Sequence, residues 1–280
     1  MKWPLVLSAL ANDRRHGSTE LLRRFTALCR KMAAEGASAE EFRHAAHRLA
    51  TAHASMALLW NLYLRFEDLS GSTARDFVHA ASEFYQLVES HVREAARIGA
   101  SAIPNGSTLL LHSSSSQVRL LLQEAKTLGK RLHLFCTLSE PGREGVRLAQ
   151  WAHSAGFPVV LLAESQLSAV ISEVHLLLIG SDALCYDGVV HKVGTALLAY
   201  ILWLEHRPLW AVSCGEKLLQ RRWSPEMAGT APPLTSRPLT QIRVLYDCTP
   251  WEHVAFVVTE QGLQSASDFR ARVFAQAPTP

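Results

Sequence analysis

Leu176-Leu177-Leu178-Ile179-Gly180-Ser181-Asp182 is the most informative stretch of this 280-residue chain. Its apolar run is too short for a buried helix, and it ends at a glycine and a carboxylate. A second polar stretch, Asp187-Gly188-Val189-Val190-His191-Lys192-Val193-Gly194-Thr195, leads into the apolar residues 196–202. The pattern predicts a strand, a polar loop and a helix, which is the junction where a parallel sheet binds ligands.

The same alternation extends over the second half of the chain. Amphipathic segments such as 116–128, 145–155 and 167–172 separate short apolar runs, which lie at residues 108–111, 132–136, 158–162, 174–179, 209–213 and 254–258. This alternation predicts βαβ units around a parallel sheet. Before residue 104, apolar residues recur at helical spacing instead. We therefore predict an α/β fold, with an all-helical domain at residues 1–104 and a parallel-sheet domain at residues 105–280.

Composition narrows the class of protein. Apolar residues make up 48% of the chain and charged residues 19%, which is typical of a globular protein with a sizeable core. The net charge of +3 is small and the basic residues are scattered, so neither nucleic acid nor a membrane is an expected partner. Five widely spaced cysteines without a CxxC pair favour reduced thiols and a cytoplasmic location. We expect no targeting segment.

Motifs for metals and common cofactors are absent from the sequence. No histidine pair has the HExxH spacing, and no GxGxxG or GxxxxGK[ST] follows a predicted strand. We therefore predict neither a metal site nor a cofactor. Prolines and a glycine at residues 223–240 predict a long surface loop, and the tail from residue 275 is expected to fray.

Polar residues follow several of the predicted strands, at the edge where parallel strands place their carboxyl ends. Asp182 is the strongest candidate, because a carboxylate directly after a buried strand is suited to proton transfer or to hydrogen bonds with hydroxyl groups. Capping of the next turn is its alternative role. The serine run at residues 113–116 starts a predicted helix and favours an anion there, or else simply caps that helix. Lys192 either approaches a phosphate, pairs with Asp182 or Asp187, or is solvated.

Four segments, in the same order along the chain, resemble those of one protein family. Residues 180–195 resemble its Gly-Ala-Asp…Gly…Asn-Lys-Ile-Gly-Thr signature, and residues 12–21 resemble its Asp…Ser-Gly-Ala…Glu-Leu segment. Leu111-His112-Ser113 resembles its Thr-His-Cys or Thr-His-Ser strand end, and residues 247–250 with 259–262 resemble its Asp-x-Thr-Pro…Thr-Glu-x-Gly. The family unites the alpha, beta and delta regulatory subunits of eukaryotic translation initiation factor 2B with methylthioribose-1-phosphate isomerase and ribose-1,5-bisphosphate isomerase.

The resemblance implies a helical N-terminal domain on a Rossmann-like domain, with a sugar-phosphate pocket between them and assembly into a homodimer or a higher even oligomer. It also implies a set of ligand-binding residues, namely Arg15, Gly17, Ser18, His112, Ser113, Ser114, Ser139, His191 and Lys192. The catalytic aspartate of the isomerases corresponds to Asp182. Their catalytic cysteine corresponds to Ser113, whose hydroxyl is a far weaker acid than a thiol.

Two further departures separate this chain from the isomerases. Leu138-Ser139-Glu140-Pro141 replaces Glu-(Ser/Thr)-Arg-Pro, which places an acid where the family has an arginine, and His191 replaces the asparagine. Cys136 ends the neighbouring predicted strand, so its thiol is a possible substitute for the missing one.

The sequence thus predicts a protein that binds a sugar phosphate or nucleotide phosphate without the usual isomerase turnover. One alternative is an aldose-ketose isomerase acting on a pentose 1-phosphate. Another is a regulatory, protein-binding subunit with a translation-factor partner.

Overall fold

The computed structural model describes residues 2–235 and 240–275. Its first part is helical and contains α1 (Trp3–Ala11), α2 (Ser18–Ala34), α3 (Ala39–Ala52), α4 (Ala57–Glu67) and α5 (Ala74–Ala102). A capping box between Ser38 and Glu41 starts α3 and satisfies backbone N–H groups that have no partner within the helix. These helices pack around a cluster of four buried rings, those of Phe25, Phe42, Phe66 and Phe77.

The second part is built on a seven-stranded sheet with the order β10-β9-β7-β4-β1-β2-β3. Its strands are β1 (Thr108–Leu111), β2 (His133–Thr137), β3 (Val159–Leu162), β4 (Leu176–Ile179), β7 (Leu209–Val212), β9 (Phe256–Thr259) and β10 (Gly262–Ser265). All neighbours pair in parallel except β10, which runs antiparallel to β9. The predicted α/β class and parallel sheet are confirmed, while the antiparallel edge strand was not predicted.

Helices cover both faces of this sheet. They are α6 (Ser116–Thr127), α7 (Glu144–Ser154), α8 (Thr195–Leu204) and α9 (Ala266–Val273). The carboxyl-terminal part of α5 also packs on the sheet, through Ala95, Ala96 and Ala100. Gly99 permits this close approach, since a Cβ at that position would lie 2.4 Å from Leu121 Cδ1 of α6. The helical part therefore shares a core with the sheet, and the two parts meet along α5 and α6.

The segment between β4 and α8 differs from the prediction. It is not a simple polar loop but a hairpin of β5 (Ala183–Leu184) and β6 (Gly188–Lys192), which pairs with β8 (Tyr246–Pro250) in a second, antiparallel sheet. Residues 164–173 form short 3-10 turns in place of the amphipathic helix expected at 167–172. The hairpin escaped prediction because its partner strand lies more than fifty residues further along the chain.

The predicted surface loop at residues 223–240 and the predicted frayed tail from residue 275 are only partly covered by the described residues. Residues 223–235 contain a 3-10 turn at Pro225–Ala228 and an isolated β-bridge between Thr230 and Val244, but no helix or strand. Residues 236–239 and the tail 276–280 lie outside the described residues. Across residues 2–235 and 240–275, no helix is both long enough and apolar enough to cross a membrane.

Candidate functional site

A polar cleft opens at the carboxyl ends of the parallel strands and encloses roughly 700 Å³ of space, its open mouth included. The loop between α1 and α2 lines one side, and the start of α6 and the end of β4 line the other. The described residues that line it are 14–19, 113–116, 181–182 and 191–192, with Glu144, Arg147, Lys217, Leu245 and Tyr246. Asp182 and the serine run, which the sequence placed at the same sheet edge, therefore share one cavity.

The serine run forms the floor of the cleft at the amino-terminal end of α6. Ser113 has a left-handed backbone with φ of 66°, and its N–H donates to Ser139 Oγ at 2.7 Å. Ser115 caps the helix by accepting from the Val118 N–H at 3.4 Å. Within the described part of the chain, the hydroxyls of Ser113, Ser114 and Ser116 have no protein partner. The helix start therefore presents free hydroxyls together with the positive end of the helix dipole.

Asp182 reaches the cleft because β4 ends against the start of α6. Gly180 lies so close to Ser115 that a Cβ on the glycine would be 2.2 Å from Ser115 Oγ. The backbone of Asp182 is fixed on both sides, since its N–H donates to Val190 O at 2.8 Å and its carbonyl accepts from the Ala57 N–H at 3.0 Å. Burial raises the pKa of its carboxyl to about 6, although the positive charges of Lys217 and Lys192 oppose this shift. The backbone of Asp182 is thus fixed, and its carboxyl has a pKa close to neutral pH.

Lys217 is a cleft residue that the sequence reasoning missed. It lies in the turn after β7 and is 3% exposed. Its Nζ donates to Gln117 Oε1 at 2.7 Å and to the Ser181 carbonyl. Burial lowers the pKa of its ammonium group. The sequence did contain a signal for Lys217, because this residue follows a parallel strand just as Asp182 does. Its contacts with residues 117 and 181, however, are formed only in the folded protein.

Lys192 lines the cleft, but two of its predicted alternatives, a solvated side chain and an ion pair with Asp182 or Asp187, are wrong. It ends β6 and is 4% exposed, so it is not a solvated lysine. Its Nζ lies 3.0 Å from Glu144 Oε2 at the start of α7, and neither Asp182 nor Asp187 is its ion-pair partner. Asp187 instead pairs with Arg222 at 2.9 Å. Glu144 therefore neutralises Lys192 locally and holds its ammonium group at the cleft wall.

Three predicted ligand-binding residues have protein partners inside the fold. His191 lines the cleft, and its Nδ1 lies 3.0 Å from Thr195 Oγ1. His112 and Ser139 lie behind the cleft wall. The His112 ring is held between Thr137 Oγ1 at 2.7 Å and Val193 O at 2.9 Å, while Ser139 Oγ accepts from the Ser113 backbone. Burial lowers the pKa of both histidines, so they are neutral near pH 7. His112 and Ser139 therefore support the site and do not line it.

Cys136 cannot replace the missing thiol at Ser113. It is 1% exposed and belongs to the apolar core between the sheet and the helices on the face opposite α8, together with Leu111, Leu134 and Leu148. Burial raises the pKa of its thiol to about 12. The prediction that Cys136 is a substitute is wrong, because alternate residues of a strand point to opposite faces and Cys136 points into the core.

The loop before α2 closes the cleft from the helical side. The predicted residues Arg15, Gly17 and Ser18 all line the cavity. Asp13 shapes the loop by accepting from the Arg15 N–H at 2.8 Å and by contacting His16 Nδ1 at 2.7 Å. The cleft is therefore formed jointly by the helical part and the sheet.

Charge in the cleft favours an anion. Its described lining holds five basic side chains (Arg14, Arg15, Arg147, Lys192 and Lys217) and two carboxyls, Glu144 and Asp182. Among residues 2–235 and 240–275, no group of three or more histidine, cysteine or acidic residues could hold a metal ion. The fold and this site define a class: a Rossmann-like α/β protein with a helical amino-terminal part and a cationic cleft at the carboxyl edge of its sheet.

Comparison with known proteins identifies the family. The model of the initiation factor 2 subunit family matches residues 6–266. An "eIF-2B subunit 2-like" protein of Pyrococcus furiosus is 33% identical over 211 residues, which are 75% of this chain and 75% of that protein. The crystal structure of the Pyrococcus horikoshii translation initiation factor eIF-2B matches with a TM-score of 0.81 at 27% identity, and the match covers 93% of this chain and 96% of the Pyrococcus horikoshii chain. Ribose 1,5-bisphosphate isomerase of Archaeoglobus fulgidus is 28% identical over 57% of this chain and 53% of that enzyme.

The chain belongs to the initiation factor 2 subunit family. The resemblance inferred from the sequence is thereby confirmed, together with its kinship to both initiation-factor subunits and sugar-phosphate isomerases.

Proposed function

We propose that the cleft binds the phosphate of a sugar phosphate or nucleotide and that the protein does not perform the Cys/Asp isomerisation of its enzymatic relatives. The observation that carries the proposal is the convergence of the α6 amino terminus, Lys217 and Asp182 on one cationic cavity. Free serine hydroxyls and helix N–H groups suit phosphate oxygens. The Asp182 carboxyl suits hydroxyl groups of the attached sugar.

The surroundings of Ser113 support the proposed absence of turnover. Within the described residues its hydroxyl has no base as a partner, and the neighbouring His112 is engaged by Thr137 and Val193. A serine without an adjacent base is a poor proton carrier or nucleophile. The nearest cysteine along the sheet, Cys136, lies in the core.

Calorimetric titration with ribose 5-phosphate, AMP and unphosphorylated ribose tests the binding. We expect both phosphate compounds to bind and ribose to bind at least ~10-fold more weakly, because phosphate contacts with charged groups are the strong ones. Lys217→Met and Arg15→Gln should each weaken phosphate binding about tenfold. The matched control Lys31→Met lies on the exposed side of α2, outside the cleft, and should leave it unchanged. Equal affinity for ribose and ribose 5-phosphate would contradict the proposal.

Incubation with ribose 1,5-bisphosphate or methylthioribose 1-phosphate tests the absence of turnover. We expect no ketose product. Ketose formation that Asp182→Asn abolishes would replace the binding proposal with the isomerase alternative, which the 28% identity to ribose 1,5-bisphosphate isomerase favours.

We also propose that the protein assembles with a second copy of itself. The outer face of α8 exposes Leu197, Tyr200, Trp203 and Leu204, and the whole helix contains no charged residue. The rings of Tyr200 and Trp203 stack on each other with centroids 6.3 Å apart, and both contact His253. Clustered exposed apolar groups of this kind mark interfaces, and a two-fold axis would pair the face with itself.

A protein-binding role in translation is the second candidate, favoured by the 33% identity to an eIF-2B subunit 2-like protein. Copurification of a translation factor, combined with no response to any phosphate compound, would establish it in place of ligand binding.

A further inference from the structure

The turn that carries Lys217 depends on other elements for its position. It is a single 3-10 turn, Gly215–Lys217, which follows β7. A turn of this length has few hydrogen bonds of its own, and their geometry is poorer than in an α-helix. The sheet side of the molecule contributes one contact, since the Gly215 N–H donates to Glu260 Oε2 at 3.1 Å. The helical part contributes the others, through α4 and α5.

The ammonium group of Lys217 keeps one donor for a ligand. An ammonium group has three N–H donors. Among the described residues its acceptors are Gln117 Oε1 and the Ser181 carbonyl, and it has no ion pair. Lys217 also lines the cleft. Its third donor is therefore available to an anion, as long as the turn holds the side chain in this place.

Asn61 holds the backbone of the turn from α4. Its side-chain amide donates to the Glu216 carbonyl at 2.7 Å and to the Leu218 carbonyl at 2.9 Å. These two carbonyls belong to the residues directly before and after Lys217. A single amide group thus fixes the chain on both sides of the lysine.

Glu216 ties the same turn to α5. His91 Nδ1 lies 2.9 Å and 3.1 Å from the two carboxylate oxygens of Glu216. A carboxylate only accepts hydrogen bonds, so the hydrogen of this contact belongs to His91 Nδ1. The Glu216 side chain is only 9% exposed, and an interaction shielded from water is stronger than its equivalent on the surface. Glu216 therefore contacts α5, while the adjacent Lys217 extends to α6 and the end of β4.

We propose that His91 and Asn61 are positioning residues of the phosphate site, which act through the turn 215–217 to hold Lys217 at the cleft. This proposal rests on the proposed function and adds two residues of the helical part to it. Neither residue is in the described lining of the cleft, so Lys217 transmits their effect on a ligand. Accurate placement matters, because a binding group is effective only within about 0.5 Å of its productive position.

Calorimetric titration with ribose 5-phosphate in a double-mutant cycle tests the positioning role. We expect His91→Leu and Asn61→Leu each to weaken binding roughly 3- to 10-fold, because the Lys217 ammonium shifts away from the phosphate. In the Lys217→Met background the same two substitutions should cause no further loss of affinity. A merely structural role would not produce this non-additivity.

Two further variants serve as rescue and control. His91→Asn keeps an N–H donor near the position of Nδ1, so it should retain close to the wild-type affinity. His79→Leu is the matched control, because His79 also lies on α5 and pairs with a glutamate, Glu83, at 3.2 Å. Both of those side chains are exposed and outside the described cleft lining, so this substitution should leave binding unchanged.

Three results would overturn the positioning role and leave the phosphate cleft standing. They are equal losses of affinity in the wild-type and Lys217→Met backgrounds, lower thermal stability of His91→Leu with unchanged affinity, and unchanged binding by Lys217→Met itself. Failure of the wild-type protein to bind either ribose 5-phosphate or AMP would overturn the proposed function as well. If His91→Leu does not fold, Glu216→Gln completes the same cycle, since it removes the charge and keeps the size of the side chain.

Discussion

Asp182 and Lys217 illustrate how single buried side chains are held at a cost to stability. The Asp182 carboxyl lines the cleft, and burial raises its pKa to about 6 even with Lys217 and Lys192 near. Lys217 is buried as well, and its ammonium group is satisfied by Gln117 and the Ser181 carbonyl. Buried ionisable groups with shifted pKa values serve function at a cost in folding stability, because a protein with an apolar or neutral residue in their place is often more stable.

Asp182→Asn should therefore stabilise the unliganded protein in a pH-dependent way. In the unfolded chain the carboxyl ionises near its ordinary pKa of 3.8, whereas in the folded protein it stays protonated up to about pH 6. Between these values the wild-type protein loses stability as pH rises, by at most ~3 kcal/mol, since each pKa unit corresponds to about 1.4 kcal/mol. The difference is absent near pH 3.5 and complete above pH 6.

Thermal unfolding of both proteins from pH 3.5 to pH 8 measures this difference, and weaker binding of sugar phosphates should accompany the gain. Asp68→Asn, an exposed aspartate at the end of α4, serves as the control and should show no such pH dependence. Parallel pH curves for wild-type and Asp182→Asn would refute the buried-carboxyl interpretation.

At the scale of secondary-structure elements, the site depends on the contact between the end of β4 and the start of α6. Gly180 makes it possible, because any Cβ there meets Ser115, the cap of α6. The same contact sets the distance between Asp182 and the serine run. A change at Gly180 should therefore affect folding and ligand binding together.

Gly180→Ala should lower the free energy of unfolding by about 1–3 kcal/mol and weaken phosphate binding, since the new Cβ would lie 2.2 Å from Ser115 Oγ and 2.7 Å from Ser115 Cβ. Ser115→Gly removes both atoms and should itself cost only a few tenths of a kcal/mol as a helix cap. The double variant should thus recover most of the loss, as measured by urea unfolding. Additive losses in the double variant would show that the clash is not with Ser115.

The same elements show where sequence patterns failed. The run 176–179 was correctly predicted as a strand, because a fully buried parallel strand is apolar at every position. The hairpin of β5 and β6 was read as a loop, since its pairing with β8 is set by a segment distant in the chain. Without that pairing the sequence leaves a solvated Lys192 as one alternative, whereas strand pairing buries the residue beside Glu144.

At the scale of the whole molecule, the exposed apolar face of α8 is the surface outside the cleft that most clearly indicates an interface. Leu197, Trp203 and Leu204 are each at least half exposed, at 62%, 50% and 54%. A helix that is apolar all round is normally covered on all sides. Self-association through this face would also bring two clefts into one particle.

Leu197→Glu should convert the proposed dimer to a monomer or raise its dissociation constant at least ~30-fold, because it places a charge in the centre of the apolar face. Sedimentation velocity over a concentration series measures the effect. Leu64→Glu, a leucine of similar exposure (52%) on α4, is the matched control. A wild-type protein that is monomeric at all concentrations, or a dimer insensitive to Leu197→Glu, would rule out this face.

Much of the molecule could be predicted from the order of its residues. Local apolar periodicity reflects burial, so it indicated the α/β class, the parallel strands and the sheet edge at which Asp182 and residues 113–116 lie. Side-chain partners could not be predicted in this way, because electrostatic pairing and packing act through space. The fold alone brings Lys217 to Gln117 and turns Cys136 into the core instead of the cleft.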